Sequence, residues 1–197
     1  MNTPSKNSAL FSVLMAPICL ALGLMTSAVN ADQKLIPTQS DIVFVSKQMG
    51  VPVEGHFKKF DAQVAFDPAK PEAAKISLSV EVGSGSMGDP IVDDELKKPG
   101  WFGASKFPQA TFQSTSVKAL GGGKFDVTGN LVLKGVTQTL KFPVTLTANG
   151  ATTLASGVVP IKRNAFHIGD GEWSDTSLVA DEVQIKFKFA LSGVAKF

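Results

Sequence analysis

The chain has 197 residues, 44% of them hydrophobic and 18% charged, which is the balance of one ordinary globular domain and excludes a disordered tail protein. Nineteen Lys and Arg against 17 Asp and Glu leave a formal charge of +2, with no basic surplus to grip nucleic acid. A single cysteine, Cys19, and two histidines exclude an internal disulfide and a Cys/His zinc site.

The N-terminus has the form of a secretory signal peptide. Lys6 precedes an apolar run over residues 9–25, and the small residues Ala28, Val29 and Ala31 follow, so cleavage is expected after Ala31. The run holds Pro17 and Gly23 and is short for a hydrocarbon core of about 30 Å, which argues against a retained anchor. Bulky Ile18 before Cys19 argues against lipid attachment. Residues 32–197 are then expected as one mature domain without thiols, which suits export to the periplasm of a Gram-negative bacterium.

Period-two alternation predicts strands through most of that domain. Shorter or noisier candidates come first, at 42–47, 51–57 and 60–66. A strict alternation of apolar and polar residues follows at 76–82, then a further candidate at 111–117. Long alternations occupy 125–133, 140–146 and 183–191, with one more candidate at 152–162. Turn residues separate them: Asp67-Pro68, Gly121-Gly122-Gly123, Lys134-Gly135 and Asn149-Gly150. About eight or nine strands, each apolar on one face, would leave raw edges in an open sheet, so an all-β closed barrel is predicted. Residues 89–105 break the pattern. Pro90 followed by acids ahead of lysines predicts one or two short helical turns, a candidate lid or plug.

The motifs carry little chemistry. Gly83-Ser84-Gly85-Ser86-Met87-Gly88 fits G-x-G-x-x-G literally, but Asp89-Pro90 follows where a dinucleotide site needs a helix, so a flexible connection is expected. The acids of residues 170–175 lack calcium-loop spacing, and Asp93, Asp94 and Glu95 are read as a solvated helix face. His56 and His167 stand apart from any catalytic or metal-binding signature, and no enzyme is expected. Arg163 shares a parity with Val159 and Ile161. Its guanidinium either meets a polar headgroup at the barrel mouth or caps the barrel end on backbone carbonyls, with the cap favoured.

Of the 14 phenylalanines only Phe11 falls in the expected signal peptide, and the rest are either a solid core or the walls of a tunnel. An eight-stranded barrel is just wide enough for either. A cavity on the order of several hundred Å³ would favour a carrier, and near-native packing throughout a structural or partner-binding module without a ligand.

The run Lys106-Phe107-Pro108-Gln109-Ala110-Thr111-Phe112, with Val127-Thr128-Gly129-Asn130-Leu131-Val132-Leu133-Lys134-Gly135-Val136-Thr137, strongly resembles the YceI family. Gly55-His56-Phe57-Lys58-Lys59-Phe60-Asp61, Phe66-Asp67-Pro68 and Ile161-Lys162-Arg163-Asn164-Ala165-Phe166 also fit, and the likeness covers essentially all of residues 32–197. It implies a lipocalin-like, eight-stranded antiparallel barrel in the periplasm. The ligand it implies is a polyisoprenoid, a prenyl quinone or a fatty amide, and no other cofactor. Some such proteins accompany a membrane b-type cytochrome, and a homodimer stays open. Gln48 stands where many members carry a His.

With that tunnel in view, strand parity nominates Phe44, Phe57, Leu78, Val80, Phe112, Val127, Leu131, Phe142, Val144, Ile185 and Phe187 as its lining. Trp101 and Phe102 are placed at the lid, and Arg163 at the mouth.

Overall fold

The computed structural model describes residues 33–197, and the expected signal peptide lies outside these described residues. Each alternating segment forms a strand. The strands are β1 (Lys34–Leu35), β2 (Asp41–Gln48), β3 (Val51–Phe57), β4 (Phe60–Ala65), β5 (Lys75–Glu81), β6 (Gly85–Ser86), β7 (Gln109–Gly121), β8 (Lys124–Leu133), β9 (Val136–Asn149), β10 (Thr152–Lys162) and β11 (Glu182–Ser192). One α-helix, α1 (Pro90–Leu96), interrupts them.

Every pairing is antiparallel, and the sheet closes on itself. β1 pairs with β4 through Lys34 and Gln63 and with β11 through Leu35 and Leu191. β2 continues β1 along the same partner, Phe44 lying opposite Ile185, after a short 3-10 turn at Pro37–Gln39. β3 and β4 likewise make one stave bent at Lys58-Lys59. Two broken staves and six whole ones (β5, β7, β8, β9, β10, β11) give the closed eight-stranded barrel, which removes the sheet edges.

β7 and β9 run beyond the segments that the alternation marks. Their outer ends carry polar or exposed residues, so hydrophobic period does not report them, yet the ladder continues through Lys118 opposite Asp126 and Ala119 opposite Phe125. At the β8–β9 turn Lys134 and Gly135 both have positive φ, 49° and 79°, the geometry of a two-residue hairpin turn.

Residues 82–108 close one end of the barrel. Pro90 opens α1, and the Asp89 carboxylate caps it by accepting from Ile91 N at 2.8 Å. Leu96 is buried against the core. Two expectations are corrected here. Asp93 is not a solvated face residue: its carboxylate turns inward and accepts from Ser86 Oγ at 2.6 Å and from Met87 N at 2.7 Å. The Gly-rich connection is not loose either, because Gly85 and Ser86 form β6, are buried, and pair with His56 and Phe57 of β3.

Candidate functional site: a cavity inside the barrel

The interior is hollow. A cavity of about 280 Å³ runs inside the barrel, well above the roughly 150 Å³ at which an apolar hole already takes up a small hydrocarbon. Along β11 its wall extends from Val183 to Leu191, about 26 Å of strand at roughly 3.3 Å per residue. With strands tilted by about 35–45°, that is on the order of 20 Å along the axis.

All eleven residues nominated by parity stand on this wall: Phe44 on β2, Phe57 on β3, Leu78 and Val80 on β5, Phe112 on β7, Val127 and Leu131 on β8, Phe142 and Val144 on β9, Ile185 and Phe187 on β11. Trp101 and Phe102 lie at the end closed by α1, where Phe102 packs against Phe44 and Phe57 at ring-centroid distances of 6.4 and 5.6 Å. Strand parity also extends to wall residues that the nomination left out, among them Phe125 two residues before Val127 and Phe189 two after Phe187. Phe112, Phe142, Phe187 and Phe189 form a continuous aromatic track with centroids 5.1 to 6.0 Å apart.

Arg163 reaches the cavity end, but its guanidinium is a structural cap. Nε donates to Ala180 O at 3.1 Å, Nη1 to Ile168 O at 2.9 Å and Gly169 O at 3.1 Å, and Nη2 to Trp173 O at 2.6 Å and Val179 O at 2.7 Å. These five bonds use all five N–H groups, so none is left to hold a ligand headgroup. The side chain is 2% exposed, and burial lowers its pKa against the opposing pull of Asp181 and Asp170. The reason it departs from strand parity is local: β10 ends at Lys162, and Arg163 begins a 3-10 turn.

Nearby, the Lys134 ammonium donates to the His167 carbonyl and stands 3.8 Å from Asp170; burial lowers its pKa. Gln48, at the exposed end of β2, bridges Val179 through the backbone and borders the cavity. Neither imidazole borders it. His56 lies on the outer face of β3, 3.2 Å from Asp41, and His167 is exposed in a left-handed turn. Among the described residues, no group of three His, Cys, Asp or Glu is arranged to hold a metal ion.

Comparison with known proteins agrees with this architecture. The barrel of BcnA from Burkholderia cenocepacia is 49% identical, with a TM-score of 0.77 over 79% of this chain and 98% of that one. The Campylobacter jejuni YceI protein is 23% identical, with a TM-score of 0.65 over 70% of this chain and 83% of that one. A Saccharophagus degradans domain described as polyisoprenoid binding shares the fold at 17% identity, with a TM-score of 0.63 over 82% of this chain and 98% of that one.

Protein YceI of Salmonella arizonae is 43% identical over 94 residues, 48% of this chain and 47% of the relative. A UPF0312 protein of Azotobacter vinelandii is 40% identical over 84 residues, 43% of this chain and 44% of the relative. The chain thus spans less than half the length of these curated relatives. The model of the YceI-like domain matches residues 33–191, nearly the whole described barrel, and the chain therefore belongs to the YceI-like domain family.

Proposed function

We propose that this protein binds a polyisoprenoid, a prenyl quinone or a similar long amphiphile inside its barrel, for carriage or sequestration in the periplasm. It needs no catalysis to do so. The observation that carries this reading is the cavity itself, a closed hydrogen-bonded wall around a lumen faced almost wholly by hydrocarbon and aromatic side chains. A barrel serving only as a structural module would gain from filling that space with side chains. The polyisoprenoid-binding description of the Saccharophagus degradans domain points the same way.

Burial alone supplies enough energy. At about 0.3 kcal/mol per heavy atom, a ligand of roughly 30 atoms gains on the order of 9 kcal/mol, near micromolar affinity or better. A membrane b-type cytochrome is the partner this reading would set beside a prenyl quinone.

Native mass spectrometry of protein purified from its own host, followed by solvent extraction, tests the reading and reports any dimer in the same spectrum. A copurified lipophile is the expected result. Protein that carries none and takes up neither prenyl quinone nor fatty amide would refute it.

A further inference from the structure

Two polar atoms buried beside the lumen have no hydrogen-bond partner among the described residues, Ser46 Oγ and Trp101 Nε1. Both belong to one end of the cavity. Ser46 lies two residues before Gln48, which bridges Val179; the Val179 carbonyl accepts from Arg163. Arg163 also donates to Gly169 O, and Gly169 N donates to Gly100 O, one residue before Trp101. The opposite end, bordered by Phe66, Phe125, Leu191 and Val194, presents hydrocarbon and aromatic side chains.

Native proteins seldom leave a buried indole N–H without an acceptor. The indole can donate and cannot accept, whereas a serine hydroxyl does either. What meets Trp101 must therefore offer an oxygen lone pair. It must also be uncharged. The five N–H groups of Arg163 are committed to carbonyls, the Lys134 ammonium is committed to His167 O and Asp170, and Glu95, which borders the same end, is paired with Lys98 at 2.5 Å. An anionic head would sit in this apolar space without a free cation.

Resting on the lipid-binding reading above, we propose that the ligand lies with its head at the α1 end and its tail toward Phe66 and Phe125. The head is a neutral, carbonyl-bearing group that accepts from Trp101 Nε1, with Ser46 Oγ as a second partner. A quinone and a fatty amide share this chemistry, while a prenyl phosphate and a fatty acid carboxylate do not.

The test uses purified protein stripped of lipid and four probes: a prenyl quinone, a fatty amide, the fatty acid of the same chain length, and squalene as a headless control. Wild type should favour the quinone or the amide, whichever is the true head, and should prefer amide over acid. Trp101→Phe, which removes the N–H together with the five-membered ring, should weaken the carbonyl-headed probe by roughly three- to tenfold more than it weakens squalene. Ser46→Ala should give a smaller loss of the same kind.

The chain has two tryptophans, so its indole N–H groups give two resonances; the two rings pack with centroids 5.9 Å apart, and the Trp101 signal is identified as the one that Trp101→Phe removes. The Trp101 signal should move downfield with the carbonyl-headed probe and not with squalene. Tighter binding of the acid than of the amide, an unmoved Trp101 resonance, or equal losses for squalene and the carbonyl probe in Trp101→Phe would each overturn the head assignment. If squalene binds while these fail, the lipid-binding reading stands alone. If no probe binds, both fall.

Discussion

Phe44 and Gly55 face each other across the β2–β3 ladder, and the Phe44 ring occupies the space where a side chain at 55 would begin: a β-carbon there would stand 2.2 Å from Cζ. The same arrangement recurs around the wall. Phe187 lies over Gly157, Phe57 over Gly85, and Phe112 over Gly129 on the neighbouring strand. Rings that fold back onto a glycine lie along the wall instead of projecting across the lumen. This is how a barrel so rich in phenylalanine stays hollow.

Alanine at these glycines should therefore separate binding from stability. At Gly55 the three nearest obstacles all belong to the Phe44 ring, which can swing into the lumen, so Gly55→Ala should weaken lipophile binding with a small loss of stability. At Gly129 and Gly157 the new methyl also meets a backbone oxygen, Gln113 O at 2.4 Å and Pro143 O at 2.7 Å. Those variants should lose about 1–3 kcal/mol in urea denaturation. A larger loss for Gly55→Ala than for Gly157→Ala would contradict the assignment.

Ala155 borders the lumen between Leu146 and Phe189 and is the kind of position where a larger side chain enters empty space. Ala155→Leu should raise the stability of lipid-free protein by about 0.5–2 kcal/mol while reducing ligand uptake. Opposite signs in a thermal melt and a binding titration are the expected signature; destabilisation would mean that the space is already full.

Arg163 ties the carbonyls of residues 168, 169, 173, 179 and 180 to the end of β10. Removing it leaves buried acceptors unpartnered. Arg163→Met should cost about 3–5 kcal/mol, and Arg163→Lys should restore only part of that, since an ammonium offers three donors in place of five. Hydrogen exchange should accelerate first in residues 164–181, and uniform acceleration across the barrel would contradict a local cap.

The Asp93 carboxylate is held below the usual carboxylate range, first by the Ser86 hydroxyl and then by the Met87 amide. Its contribution is complete above the ordinary aspartate pKa, about 4, and is lost as pH falls through the lowered folded value. Protection of the Met87 amide should thus fail in acid before the barrel unfolds, and Asp93→Asn should show the same loss at neutral pH. An unchanged Met87 exchange rate in Asp93→Asn would remove this latch.

The strands and their inward faces were legible because a period of two is a direct image of a wall with one greasy side, as in the run from Ile76 to Val82. The hollow was not. Phe112 and Phe187 read alike as core or lining until the ladder register sets each ring above a glycine two strand positions or one pairing away. Asp93 was misread because its neighbours do pair with lysines at the surface, Asp94 with Lys97 and Glu95 with Lys98, and a single residue's step, about 100° round the helix, separates outward from inward. The orphaned atoms of Ser46 and Trp101 leave no trace in composition or spacing, since an unmade hydrogen bond is a property of the assembled fold.

The closure of the ladder from β1 round to β11 has a kinetic consequence. On the lipid-binding reading, a tail that leaves sideways must break rungs wherever strands are paired, and the end of the barrel next to α1 is covered by the segment that Asp93 pins to Ser86 and Met87. For departure through that end, residence time would be governed by that pin, while equilibrium affinity would be governed by the rings along the lumen. A single substitution at residue 93 could shorten the wait without altering how much cargo is held at saturation.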